Sequence, residues 1–91
     1  MSHTRATLII KGRVQGVFYR QSTKEAAQSH KVSGWVRNLP NGDVKAVLEG
    51  HEKDVKNVIA WCWGGPPAAK VENIIVDWSA STLDFSEFSI R

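Results

Sequence analysis

The sequence predicts an α+β sandwich, with two helices on one face of an antiparallel sheet. Segments with strand-like and helix-like spacing follow the order strand, helix, strand, strand, helix, strand, and a further short strand lies near the C-terminus. Turn-forming residues join the two middle strands, so a hairpin separates two strand-helix-strand units. This order is typical of the split βαβ, or ferredoxin-like, arrangement, in which the first and third strands are central neighbours.

The first half of the chain supplies two strand-helix boundaries and the hairpin. The apolar run at residues 6–10 predicts the first strand, and the helix formers of residues 21–30 predict the first helix. Residues 32–38 and 44–50 predict the next two strands. The intervening residues 40–43, Pro-Asn-Gly-Asp, are strong turn formers.

The second hairpin strand has an alternating pattern. Val44, Ala46 and Leu48 share one face, while Lys45 and Glu49 lie on the other. This alternation predicts a sheet with one face packed on the core and the other in water.

The second helix is predicted at residues 52–63. Its apolar residues fall at i, i+3, i+4, i+7 and i+8, and they are Val55, Val58, Ile59, Cys62 and Trp63. Cys62 is therefore interpreted as a packed core thiol. Trp61 lies off this stripe, which indicates either a lateral contact or an exposed aromatic, and the second interpretation is favoured. Gly-Gly-Pro-Pro at residues 64–67 ends the helix. Strands are predicted at residues 71–78 and 85–90.

Length and composition favour one small domain over residues 1–91, with 42% hydrophobic and 23% charged residues. The single cysteine excludes an intramolecular disulfide and a cysteine metal cluster. No leader or membrane-length apolar run is present, so we expect a cytoplasmic protein, by default a monomer. The net charge of +3 is dispersed along the chain, which suits a small anionic substrate better than a nucleic acid.

The segment between the first strand and the first helix predicts an anion site. It reads Gly12-Arg-Val-Gln-Gly-Val-Phe-Tyr-Arg20, in which Gly16 can take a positive φ. Successive backbone N–H groups can then turn inward, beside the unpaired N–H groups and positive dipole end of the helix. Arg20, in the first turn, can offer two donors to one phosphate. The segment lacks the Lys-Ser/Thr pair of a Walker loop and the third glycine of a dinucleotide site.

Two segments in the correct order carry a resemblance to a known family. The first segment follows the pattern Gly-x-Val-Gln-Gly-Val-x-Phe-Arg, with Tyr19 in place of phenylalanine. The second has a glycine, an aromatic residue, an asparagine at the strand end and the hairpin Gly-x-Val, and these are Gly34, Trp35, Asn38, Gly42 and Val44. With these motifs the chain closely resembles the acylphosphatase family over nearly its whole length.

The resemblance implies hydrolysis of the carboxyl-phosphate bond of acyl phosphates, with inorganic phosphate as product or inhibitor. Arg20 matches the family's phosphate-binding arginine, and Asn38 matches the asparagine that orients the attacking water. The backbone N–H groups that match the phosphate cradle belong to Gln15, Gly16, Val17, Phe18 and Tyr19. Since the leaving carboxylate is a weak base, no general acid is required, and we expect neither a metal nor a cofactor.

Two other classes remain open: a phosphate-binding module without catalysis and an RNA-binding module. Sheets of this kind bind RNA through aromatic residues on the central strands, but the first strand offers none and the segment at 74–78 offers only Trp78. The presence of both Arg20 and Asn38 favours the enzyme.

Overall fold

The computed structural model describes residues 3–91, and its elements follow the predicted order. They are β1 (His3–Arg13), α1 (Tyr19–Ser29), β2 (Ser33–Asn38), β3 (Val44–His51), α2 (Glu52–Gly64), β4 (Lys70–Ala80) and β5 (Phe88–Ile90). The sheet order is β4-β1-β3-β2-β5, which confirms the ferredoxin-like arrangement with β1 beside β3. The predicted bounds differ most for the first strand, which is longer at both ends, and for the last strand, which begins at Phe88.

The core lies between one face of the sheet and the two helices. On that face Ala6, Leu8 and Ile10 of β1 pair in register with three apolar residues of β3, and all six are fully buried. The helices cover them with a narrow set of side chains: Tyr19, Thr23 and Ala27 from α1, and Val55, Val58 and Cys62 from α2. In the described part of the chain, no helix is long and apolar enough to cross a membrane.

The fifth strand makes the sheet mixed instead of wholly antiparallel. β5 pairs in parallel with β2, whereas the other neighbouring strands are antiparallel. The direction follows from the path of the chain. β4 ends, and β2 begins, at the same end of the sheet, so a segment that crosses at that end enters β5 in the direction of β2. The composition of this short strand gave no sign of its direction.

The prediction of a wet outer face is wrong at Glu49, which is only 1% exposed. Residues 81–87 cross the outer face between β4 and β5, and they cover this carboxylate. Glu49 Oε2 accepts hydrogen bonds from Arg5 Nε at 3.0 Å and from the Thr82 N–H at 3.3 Å. Arg5 also donates to Asp84 at 2.9 Å. Burial raises the pKa of Glu49, but the hydrogen bonds from Arg5 and Thr82 and the charge of Arg5 outweigh it and hold the pKa below its usual value.

The prediction for the two tryptophans of α2 is also wrong. Trp63, placed on the buried stripe, is 47% exposed, whereas Trp61 is half-buried and packs against the core. Both residues flank the stripe, and α1 lies on the Trp61 side only, where Tyr19 contacts it with ring centroids 5.9 Å apart. Cys62 is fully buried, as expected of a core thiol, and burial raises its pKa to about 12.

Candidate active site

The loop between β1 and α1 has an unusual backbone path. Gly16 has φ 75° and Phe18 has φ 63°, so the chain reverses its handedness twice just before the helix. Phe18 occupies the N-cap position of α1 without a side-chain cap, and the first helical hydrogen bond runs from the Ser22 N–H to the Phe18 carbonyl at 3.0 Å. Successive residues that alternate between right-handed and left-handed backbone conformations turn their N–H groups toward one concave surface. The sequence had indicated this path through Gly16 alone.

The N–H groups of this loop are free to bind a ligand. Among residues 3–91, the hydrogen bonds of turns and loops include none donated by the backbone N–H groups of residues 15–19. The first turn of α1 contains no acidic residue, whereas the first turn of α2 contains Glu52 and Asp54. Acidic side chains commonly neutralise the positive end of a helix dipole. The start of α1 therefore combines unpaired donors with a positive potential, which suits an anion.

A cavity of about 370 Å³ lies over this loop and reaches the end of β2. Eight residues line it: Val14, Gly16, Phe18, Tyr19, Arg20, Gln21, Asn38 and Ile90. The structure therefore brings Arg20 and Asn38, which are far apart in sequence, to the same cavity. Of the residues predicted for the cradle, Gln15 and Val17 do not line it, because Val17 packs into the core and the Gln15 side chain turns toward the hairpin.

Arg20 lies in the first turn of α1 and is half-buried. Its Nη1 donates to the main-chain oxygen of Arg91 at 3.5 Å, a long contact that leaves most of the guanidinium donors available. Arg91 is held in place because its N–H donates to the Val36 carbonyl at 2.8 Å, which continues the pairing of β5 with β2. The same pairing places Ile90 opposite Val36 and at the wall of the cavity.

Asn38 is the last residue of β2, as the turn chemistry predicted. Its Oδ1 is buried, yet it has no hydrogen-bond partner among residues 3–91. A buried acceptor without a partner costs about 1–3 kcal/mol, and such atoms are rare in native proteins. Since Asn38 lines the cavity, its amide can accept a hydrogen bond from a group that enters there and donate another.

The side chain of Gln15 has a role that the sequence did not suggest. Its Nε2 donates to the carbonyls of Leu39 and Asp43, both at 2.8 Å. These two carbonyls belong to the turn that follows Asn38, so Gln15 ties the loop to the hairpin. The carboxylate of Asp43 in turn accepts a hydrogen bond from Lys11 at 2.8 Å. The sequence showed only a polar residue between Val14 and Gly16, which is too weak a sign to identify this bracing role.

Tyr19 replaces the phenylalanine of the family pattern, and its hydroxyl has a defined partner. The hydroxyl donates to the Cys62 carbonyl at 2.6 Å. In a longer helix that carbonyl would accept from the N–H four residues on, but residue 66 is a proline and has none. Tyr19 therefore satisfies an acceptor at the end of α2. Burial raises the pKa of Tyr19 well above its usual value, so the phenol is neutral.

The other titratable candidates lie away from the cavity. His3 and His51 contact each other with ring centroids 4.2 Å apart, at the end of β1 opposite the loop. His30 is the C-cap of α1. Among residues 3–91, no group of three or more His, Cys, Asp or Glu side chains could hold a metal ion.

Comparison with known proteins agrees with this geometry. The family model described as Acylphosphatase matches residues 6–90 of the chain. The chain is 52% identical over 91 residues to an acylphosphatase of Pyrobaculum islandicum, covering 99% of this chain and 96% of that protein. It is 44% identical over 90 residues to an acylphosphatase of Pelotomaculum thermopropionicum, covering 99% and 98%. The crystal structure of acylphosphatase from Bacillus subtilis matches with a TM-score of 0.94 at 34% identity, covering 97% of this chain and 98% of that one. The chain belongs to the acylphosphatase family.

Proposed function

We propose that this protein hydrolyses the carboxyl-phosphate bond of an acyl phosphate, giving a carboxylate and inorganic phosphate. Membership of the family makes it a hydrolase that acts on acid anhydrides. In this proposal the N–H groups of residues 15–19 and the guanidinium of Arg20 bind the phosphoryl group. Asn38 orients the attacking water. The observation that carries the proposal is that Arg20, Asn38 and three residues of the loop, Gly16, Phe18 and Tyr19, line one cavity, while the Asn38 Oδ1 has no partner among residues 3–91.

The phosphate end of the substrate fits the donors that are available. A transferring phosphoryl group spreads negative charge over its equatorial oxygens, and fixed N–H groups and a guanidinium stabilise that charge without reorganising. The loop donors are held by the backbone itself, because Gly16 and Phe18 have positive φ and α1 begins at the next residue. Arg20 can add two parallel hydrogen bonds to one phosphoryl group.

The attack of water depends on positioning. The oxygen of water bonds to phosphorus while the phosphorus bond to the carboxylate oxygen breaks, and the leaving carboxylate takes the electron pair. A carboxylate is a weak base, so its departure needs no proton. The titratable residues that line the cavity are Tyr19, which is neutral, and Arg20. Asn38 can accept a hydrogen bond from the water and so direct its lone pair at phosphorus, which lowers the barrier mainly through orientation.

Hydrolysis of benzoyl phosphate in the presence of a chelator tests this function. We expect turnover by the parent protein. Arg20→Ala should raise the inhibition constant for inorganic phosphate as well as lower kcat/KM, because one contact serves both the bound anion and the transition state. Asn38→Ala should lower kcat with a much smaller effect on phosphate inhibition. Arg13→Ala is the matched control, since Arg13 is an exposed arginine of the same segment that does not line the cavity.

Two results would contradict the proposal. A folded parent protein that turns over no acyl phosphate would refute the activity. Loss of phosphate binding in both Arg20→Ala and Asn38→Ala would refute the separate roles given to these residues. Circular dichroism and urea unfolding of each variant establish that the comparison is between folded proteins.

A further inference from the structure

Phe18 carries two features that are unfavourable in the free protein. Its side chain is 82% exposed, more than any other large hydrophobic side chain among residues 3–91. Its φ of 63° places a bulky side chain in the left-handed region, where a non-glycine residue costs about 1–2 kcal/mol. Backbone strain of this kind persists where the surrounding structure imposes it, and it is concentrated at binding and catalytic sites. The positive φ belongs to the backbone path that turns the loop N–H groups inward, but the exposed ring has no part in binding phosphate, because the cradle uses only the N–H group of this residue.

The surroundings of Phe18 are apolar on one side of the cavity. Ile90, at the opposite end of the chain, is 37% exposed and lines the same cavity, together with the buried Val14. The polar side chains at the cavity are those of Arg20, Gln21 and Asn38, and Gly16 and Tyr19 complete its lining. The volume of about 370 Å³ falls within the range of small-molecule sites, which is about 300–1,000 Å³. A phosphoryl group held by the loop therefore leaves room beside an apolar surface.

We propose that Phe18, with Ile90 beside it, binds the acyl group of the substrate and gives this enzyme a preference for acyl phosphates with a flat, apolar acyl group. This inference rests on the proposed function. Aromatic rings in an offset-stacked or edge-to-face arrangement gain more free energy than their buried area alone provides. Phe18 lines the cavity and its side chain is exposed, so the ring is accessible to an acyl group bonded to the cradled phosphate.

The test compares two substrates, benzoyl phosphate and acetyl phosphate, with inorganic phosphate as an inhibitor. We expect Phe18→Ala to lower the ratio of kcat/KM for benzoyl over acetyl phosphate about tenfold, which corresponds to about 1.4 kcal/mol. The inhibition constant for phosphate should change less than twofold, because phosphate does not reach the ring. Phe18→Tyr should keep the ratio, since it keeps the ring.

Leu83→Ala is the matched control. Leu83 is also an exposed apolar residue, at 69%, with a positive φ of 56°, and it does not line the cavity. Truncation to alanine at this position should leave kcat/KM unchanged for both substrates. If Leu83→Ala lowered the ratio of kcat/KM for benzoyl over acetyl phosphate as much as Phe18→Ala does, the effect would come from general destabilisation. That result would overturn the inference.

The outcomes separate this inference from the proposed function. If the parent protein hydrolyses neither substrate, the proposed function fails. If it hydrolyses both and Phe18→Ala keeps the same ratio, the activity stands and the role of Phe18 is refuted. If Phe18→Ala lowers kcat/KM equally for both substrates and also binds phosphate more weakly, Phe18 only shapes the loop. The inference is again refuted.

Discussion

Tyr19→Phe removes a single oxygen atom and so isolates one hydrogen bond. The hydroxyl donates to the Cys62 carbonyl at 2.6 Å, and proline at residue 66 leaves that carbonyl without its usual helical donor. The ring stays in place, so its contact with Trp61 and its burial in the core are kept. The variant therefore leaves a buried acceptor unpaired without opening a large cavity.

We expect this change to lower the free energy of unfolding by about 1–3 kcal/mol, which is the cost of a buried acceptor without a partner. For a domain of 60–100 residues, each kcal/mol corresponds to about 4–8 °C in Tm. In urea, a loss of about 1.5 kcal/mol lowers the midpoint by about 1 M if the slope m is about 1.5 kcal/mol/M. The slope itself should not change, because the same surface is exposed on unfolding. Tyr19→Leu, which also loses the ring contact, should be less stable again.

The pH dependence supplies an independent check. The pKa of Tyr19 is raised by burial, so the folded protein keeps the proton that the unfolded chain loses. The stabilisation from this group is present below the unfolded pKa of about 10 and declines as the pH rises above it. Tyr19→Phe should therefore flatten part of the alkaline loss of stability, and the buried Cys62 thiol, whose pKa is also raised by burial, contributes a further part that the variant keeps. Equal urea midpoints for parent and variant at neutral pH would refute the capping role of the hydroxyl.

Three further changes test other parts of the site and fold. Gln15→Ala removes both donations to the turn after Asn38. In steady-state assays it should lower kcat by a larger factor than it raises the inhibition constant for phosphate. The reverse pattern would refute the proposed role of Gln15 in holding the turn. Gly16→Val adds a side chain into open space at φ 75°, so backbone strain of about 1–2 kcal/mol should weaken phosphate inhibition; unchanged inhibition would refute this. Glu49→Gln removes a carboxylate of lowered pKa, whose stabilisation is present above the unfolded pKa of about 4.3 and is lost as the pH falls below it. Urea midpoints between pH 3 and 6 should vary less in the variant; an identical acid dependence would contradict this assignment.

The features that sequence could predict are those that local chemistry determines. Gly16 was expected to take a positive φ, and Arg20 to lie in the first turn of a helix, because both depend on neighbouring residues. Asn38 was placed at a strand end by the turn residues that follow it. The pairing of β1 with β3 followed from the order of the elements, which restricts the topology to very few solutions.

The features that sequence missed depend on contacts between distant segments. The partners of Gln15 are the Leu39 and Asp43 carbonyls, which lie 24 and 28 residues away. Burial of Glu49 depends on a crossing segment that begins after residue 80. Trp61 and Trp63 flank the apolar stripe, so only the position of α1 decides which one packs. Hydrophobic periodicity fixes the centre of a buried face but not its edges.

The crossing segment at residues 81–87 joins the two edge strands, β4 and β5, and so leads into the strand that reaches the cavity. At one end, Arg5 joins Glu49 and Asp84, with hydrogen bonds of 2.9–3.0 Å, and this network holds the segment on the outer face. β5 follows directly and runs toward the opposite end, where Ile90 lies at the wall of the cavity. Because the phosphate cradle belongs to a different loop, loosening the network should disturb Ile90 before it disturbs the cradle. We therefore expect Glu49→Gln to raise KM for benzoyl phosphate more than it raises the inhibition constant for phosphate, and an equal rise in both would place the coupling in the loop instead.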